Sequence, residues 1–300
     1  MSDALSQWLA LREETDWNAR SDALAQQVCS RLAPGDPMCV LDLGTGRGSN
    51  LRYLMARLPG RQRWLVIDTE ARLLDEMLTR TAAWARARGW DVEIGLRRCL
   101  VRGGRFTCDV EARAMNLDRL DDVPFQGQHL VTASALLDLV SEAWLGTLAM
   151  RCHAAGAAAL FAISYDGRSS CDPAEPEDEV VRALMNEHQG RDKGLGGPAA
   201  GPRAHAAAVR MFSEAGYQVE EAPSDWILSP EAQALQRQLI DGWAEAATET
   251  APARAATIAD WRQRRLAHVA AGRSRITVGH HDLAAWLPRF VAAGRPTPCP

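Results

Sequence analysis

The run Asp42-Leu43-Gly44-Thr45-Gly46-Arg47-Gly48 sets a carboxylate ahead of three alternating glycines, and Asp68 follows Gly48 by 20 residues. Residues without a Cβ let a backbone turn sharply and let a ligand come close where any side chain would collide. Ahead of a helix, such a turn also presents free N–H groups. A carboxylate at Asp68 can accept from both hydroxyls of a ribose, and an acid at the end of the second strand of a nucleotide-binding sheet stands in the right place to do so. The reading without a ligand is a tight turn in which Asp42 caps backbone amides. The dinucleotide fingerprint GxGxxG is not met: from Gly44 its third glycine falls on Ser49, and from Gly46 it falls on Leu51.

A second group lies far along the chain. Asn186-Glu187-His188-Gln189-Gly190-Arg191-Asp192-Lys193-Gly194 gathers a histidine, two amides and the single lysine of a chain whose other 33 basic residues are arginine. A compact ammonium on a flexible stem does what a planar guanidinium does not, so a lone lysine asks for a reason. Histidine is the side chain best suited to take a proton near neutral pH. His188 is therefore the candidate catalytic base or acceptor-binding group, with Tyr165, Gln189 and Lys193 as candidate substrate contacts and Lys193 reading an anionic group. A solvated helix C-terminus, which favours Lys and His through its dipole, is the competing reading. His280-His281-Asp282 makes a weak metal site, because adjacent side chains on an extended segment point apart.

These residues need elements to position them. Met38–Leu43 is a continuous apolar run, as suits a strand buried on both faces of a parallel sheet. The glycine turn and a helix over Asn50–Leu58 follow, then a strand at Arg63–Asp68 and a helix over Ala71–Arg88. This alternation predicts a parallel α/β sheet. Strands are expected at Asp91–Arg97 and Arg105–Val110 around Gly103-Gly104, at Glu111–Leu117, His129–Ser134 and Ala157–Ser164, from Gly216 toward Ile227, and at Arg275–Gly279. Helices are expected over Leu5–Leu32 with a break at Glu14–Asn18, and over Leu136–His153, Glu179–Gln189, Ala204–Ala215, Pro230–Ala247 and Pro252–Ala271. A short helix over Asp282–Phe290 and a Pro-rich tail close the chain. Gly190–Pro202 reads as a loop or lid.

The acid-glycine pattern with a spaced second acid resembles motif I of the class I S-adenosylmethionine-dependent methyltransferases. The likeness runs through the ordered strands to about residue 165 and more loosely to the end. It implies a three-layer Rossmann-like α/β sandwich with a seven-stranded, mostly parallel sheet and an antiparallel last strand near Arg275–Gly279. It implies an N-terminal helical cover over residues 1–34, a methyltransferase-like domain over 35–300, and helical insertions at about 167–210 and 230–271. In the family the leading acid and the glycine backbone surround the methionine part of the donor, roles that fall to Asp42, Gly44, Gly46 and Gly48. Asp68 would hold the ribose and Asp118, or its neighbour Asn116, the adenine. Ser134 follows the fourth strand, which lines the methyl-donor site, and Asp138 is either a pocket residue or a helix residue. N-terminal helices close over the cofactor in the family, which would bring Arg20 to its carboxylate; a surface arginine is the alternative. The Asn-Pro-Pro-Tyr type motif of many nucleic-acid and protein-amide methylases is absent, so the acceptor implied is a small molecule methylated on oxygen or nitrogen. The alternatives are a non-catalytic binder of the donor or of S-adenosylhomocysteine and, further off, an NAD-dependent oxidoreductase.

Composition agrees. At 300 residues, 47% hydrophobic and 24% charged, the chain can bury a large core. A net charge of −4 argues against nucleic-acid binding through a bulk positive field. No apolar run reaches the ~18 residues of a membrane span, and Met1–Arg12 lacks a signal-peptide pattern. Seven scattered cysteines with no CxxC pair read as reduced thiols in a cytoplasmic protein without a metal site. Ten tryptophans against three tyrosines are unusual. Trp226, Trp243, Trp261 and Trp286 are read as core or as a homodimer contact, with an acceptor-stacking cage left open.

Overall fold

In the computed structural model, residues 2–32 and 37–288 are described. The chain opens with α1 (Ser2–Ala19) and α2 (Asp22–Arg31), which meet at Arg20-Ser21 rather than at the expected break over 14–18. Ser21 is what ends one helix and starts the next: its side chain accepts the backbone N–H of Leu24, an N-cap. The first parallel unit is β1 (Met38–Leu43), α3 (Ser49–Met55) and β2 (Gly60–Asp68). Next comes α4 (Ala71–Arg86), whose buried Leu73, Leu74, Met77, Leu78, Ala82 and Ala85 fall at helical intervals on one stripe.

The predicted hairpin region is a three-stranded meander, β3 (Asp91–Gly95), β4 (Arg98–Arg102) and β5 (Phe106–Ala114). Its last strand joins two segments that the sequence separates: β5 pairs antiparallel with β4 and parallel with β2 along Gly60–Asp68. Then follow β6 (Leu130–Ser134), α5 (Glu142–Ala155), β7 (Ala158–Asp172), α6 (Asp178–Gln189), α7 (Ala204–Glu214), β8 (Gln218–Pro223), β9 (Trp226–Leu228), α8 (Gln233–Thr250), α9 (Ala255–Ala270) and β10 (Arg275–Trp286).

The sheet runs β3-β4-β5-β2-β1-β6-β7-β10-β8, with β9 against β10. From β5 onward this is the expected seven-stranded arrangement, its centre parallel and β10 inserted antiparallel between β7 and β8. The β3–β4 hairpin and β9 bring the count among the described residues to ten. Residues of β1 alternate between two cores. Val40 faces Leu51, Leu54 and Met77 of α3 and α4, while Leu41 and Leu43 face Leu145, Leu148 and Phe212 of α5 and α7.

Two expectations about the C-terminal half are corrected. Asp282–Trp286 is strand, not helix; its Leu283, Ala284, Ala285 and Trp286 are buried on both faces, a pattern without the period that separates a buried strand from a helix. Phe290 and the Pro-rich tail lie outside the described residues. The fifth parallel strand does not end at Ser164. Ser134 of β6 pairs with Ala162, so everything beyond projects past the C-terminal edge of the sheet. There Tyr165–Asp172 forms a ribbon with Arg275–His280 of β10. This ribbon carries a third core, made by α6, α8 and α9 with Trp226, above the sheet edge.

Candidate functional site

β1 lies between β2 and β6: the chain leaves β1 toward β2 on one side and later crosses from β5 to β6 on the other, so a crevice opens at the ends of these strands. The glycine turn sits at that point. Gly44, Gly46 and Gly48 have φ of +62°, +52° and +78°. A Cβ on Gly48 would stand 2.4 Å from Met77 Cγ, so both backbone and space demand glycine there. Asp42 is fully buried and accepts from Thr45 Oγ1 (2.7 Å) and Asn50 Nδ2 (2.6 Å). Burial raises its carboxyl to about 6, against the pull of those two hydrogen bonds and of Arg20. Asp68 accepts the backbone N–H groups of Gly46 (2.8 Å) and Glu70 (3.0 Å), and burial raises its pKa too. The two acids thus flank one turn, as their spacing predicts.

The other expected donor contacts are distributed around this turn. Arg20 is buried, donates from Nη1 to Asn50 Oδ1 (2.7 Å) and stacks over Tyr53 at 3.9 Å, which ties α1 to Asp42 through Asn50. It is not a surface arginine. Its Nε is buried with no hydrogen-bond partner. Asp118 accepts the backbone N–H of Gly196 (3.1 Å), so the predicted loop folds onto this acid. Ser134 is half-buried at the end of β6.

α1 lies across the sheet edge as a cover. Leu9 packs on the turn, with Cδ1 3.2 Å from where a Cβ on Gly46 would be. On one side Ser6 Oγ donates to Glu76, Arg47 donates to the Ser6 carbonyl, and Arg52 pairs with Glu13. On the other, Trp226 Nε1 donates to Asp16 (3.1 Å), which also takes a two-point contact from Arg12 at 2.8 and 3.0 Å.

Beside Leu9 a cavity of about 270 Å³ opens between α1, the ends of β6 and β7, α6, α8 and β9. Trp8, Trp226, Trp243 and Tyr165 give it aromatic walls, and its polar groups include Arg12, Asp138, Gln189 and His280. Two of its residues, Ala135 (φ +53°) and Ile163 (φ +55°), hold the left-handed conformation, which is rare for alanine and an outlier for a β-branched side chain. Asp282 fixes the second. Its Oδ1 accepts Ile163 N–H and its Oδ2 accepts Ser21 N–H, both at 2.8 Å, so one carboxylate pins the strained strand and the α1–α2 junction. Strain held in this way gathers where a site is pre-organised. Asp138 Oδ1 is buried without a hydrogen-bond partner, and burial raises its carboxyl to about 6. His280 is held neutral by burial, its pKa lowered to about 3; its Nδ1 donates to the Val278 carbonyl, leaving Nε2 as an acceptor.

Tyr165 and Gln189 line this cavity as expected, but His188 and Lys193 do not. Met185 and Gln189 are one turn apart on the cavity face of α6, and His188 stands roughly 100° around the helix from Gln189. There its Nε2 meets Glu249 Oε2 on α8 at 2.9 Å, beside Arg191. Lys193 is exposed, its pKa lowered by partial desolvation and by Arg191. Sequence reasoning took Asp282 only as part of a weak metal site, and passed over Asn50 and Arg12 as a cavity group. Only the Asn50 position, eight residues after Asp42, carried a local signal.

No protein-family model matches the chain, and no curated protein matches it. Solved structures that it resembles include the cyclopropane synthase MmaA2 from Mycobacterium tuberculosis, at 11% identity over 87% of this chain and 83% of that one, TM-score 0.43. A putative methyltransferase from Bacillus halodurans is similar at 15% identity over 90% of this chain and 100% of that one, TM-score 0.46. The YcgJ protein from Bacillus subtilis gives 12% identity over the same shares, TM-score 0.46. Among the described residues no helix is long and apolar enough to cross a membrane.

Proposed function

We propose that the protein is an S-adenosylmethionine-dependent methyltransferase acting on a small-molecule acceptor. The observation that carries this reading is the glycine turn at the crevice of the sheet, barred to a Cβ at Gly48 and flanked by buried Asp42 and Asp68. These residues fit the donor. Asp42 with Gly44, Gly46 and Gly48 would surround its methionine part, Asp68 would accept from its ribose, and Asp118 and Ser134 would border the adenine and the methyl side. Arg20, joined to Asp42 through Asn50, would face its carboxylate with the unpartnered Nε. When bound, the donor supplies an electrophilic methyl on a sulfonium.

The chain's own work is to hold an acceptor in line and to exclude water. Leu9 is shared by the turn and the cavity, so the two sites adjoin. A cavity of about 270 Å³ falls just below the usual range of ligand pockets, roughly 300–1,000 Å³, which supports a small acceptor over a macromolecular one. Tyr165, Gln189 and Asp138 are its proposed acceptor contacts. A cell extract incubated with methyl-labelled donor tests the reading: mass spectrometry should find label on a small molecule only when the protein is present. Donor binding with no labelled product would favour the alternative, a non-catalytic binding protein.

A further inference from the structure

We infer that the cavity beside the glycine turn selects an apolar or aromatic acceptor carrying a primary or secondary amine, bound in its cationic form with Asp138 as the counter-ion; methylation of that nitrogen would require one N–H proton to pass to the Asp138 carboxylate first, freeing the lone pair. This rests on the reading of the cavity as the acceptor site. Charge is the first argument. Four ionisable side chains line the cavity, Arg12, Asp138, Tyr165 and His280, and Tyr165 is a neutral phenol whose hydroxyl donates to Asn186 Oδ1. Arg12 is held by the two-point contact with Asp16, which takes up its Nε and one Nη donor, while its charge still acts on Asp138 and His280. His280 is neutral, and Nδ1 spends its proton on a backbone carbonyl. Asp138 remains without a side-chain hydrogen bond: backbone N–H groups support it, and Arg12 and Lys193 attract it from farther off. Its Oδ1 is buried and has no donor. A buried acceptor left without a donor is costly, and an ammonium N–H supplies one together with the opposite charge.

The walls make the second argument. Trp8, Trp226, Trp243 and Tyr165 present aromatic surface around this carboxylate. Aromatic faces attract cations, and two of these already do so: the Arg12 guanidinium lies 4.9 Å from the Trp226 ring centre and 5.8 Å from that of Trp8. Leu9, Leu139, Ile163 and Val278 supply the apolar remainder. A carboxylate-bearing molecule would meet Asp138 as a like charge, and a neutral one would leave Oδ1 unmatched. Lys193 lies outside the lining residues and acts on Asp138 only through longer-range attraction, without a hydrogen bond.

Isothermal titration with three probes of similar shape tests this: tryptamine, 3-ethylindole and indole-3-propionate. The wild-type protein should bind tryptamine at least tenfold more tightly than either of the others, and Asp138→Asn should bring tryptamine down to the level of 3-ethylindole. Trp243→Leu should weaken tryptamine severalfold without touching Asp138, which keeps the idea testable if Asp138→Asn folds poorly. Tighter binding of indole-3-propionate, absence of tryptamine binding, or unchanged tryptamine affinity in Asp138→Asn would overturn it. S-adenosylhomocysteine is titrated separately into the same samples. Loss of that binding with tryptamine selectivity intact would refute the methyltransferase reading and leave the amine site standing.

Discussion

Asp42 is a carboxylate whose charge the fold holds back. Its pKa of about 6 in the folded protein lies above the ordinary value, so below pH 6 it is largely protonated. A cationic donor prefers the ionised form. Its affinity should therefore rise severalfold between pH 5 and 7, with proton release on binding that calorimetry in buffers of different ionisation enthalpy would detect. His280 has the opposite bearing on stability. Its folded pKa, about 3, is below the unfolded value of 6.5, so its contribution is complete above 6.5 and fades as pH falls toward 3. His280→Phe should lose less stability than the wild type over that window, as read from urea midpoints at each pH. Asp42, the glycines and Asp68 were legible in the sequence because spacing alone brings them to one turn. His188 was singled out by composition, and composition does not say which face of a helix meets a cavity. Asp138 is near the strand end, but its isolation is a property of packing that no local pattern encodes.

Among the elements, the α1 cover and the β7–β10 ribbon shape the site most. Asp282 joins them, 261 residues from Ser21, a distance across which sequence gives no sign of contact. Asp282→Ala should release Ile163 and Ser21 together and leave two buried N–H groups unpaired, a loss of about 2–4 kcal/mol. The melting temperature should drop, and amide exchange should quicken at the α1–α2 junction more than in α4. Equal exchange in both would count against the pinning role. The Gly48→Ala variant adds a Cβ against Met77 and forces an unfavourable φ, and should cost about 1–3 kcal/mol. The ribbon itself was hidden because Tyr165–Asp172 is polar and contains a glycine, which reads as a loop. In place it is a half-solvated ladder whose exposure alternates from Arg168 to Asp172. The Asp282–Trp286 segment was misassigned for the complementary reason, being buried on both faces.

At the scale of the whole molecule, the parallel centre of the sheet followed directly from alternating apolar runs and helices. Strand order, and the insertion of β10 between β7 and β8, came from long-range pairing and matched the arrangement that the motif implied. The sheet supplies a turn and two acids at its C-terminal edge, and α1 and the α6–α8–α9 cap close a small aromatic chamber beside them. That division predicts separable defects. Substitutions at Asp68 should weaken nucleoside binding, and substitutions in the chamber should spare it. The most direct measurement is calorimetric titration of the wild-type protein and Asp68→Asn with S-adenosylhomocysteine, and of the wild type with NAD. One site for S-adenosylhomocysteine, weakened at least tenfold by the substitution, with no heat from NAD, is the predicted result. Binding of NAD without S-adenosylhomocysteine, or an affinity indifferent to Asp68, would contradict the account.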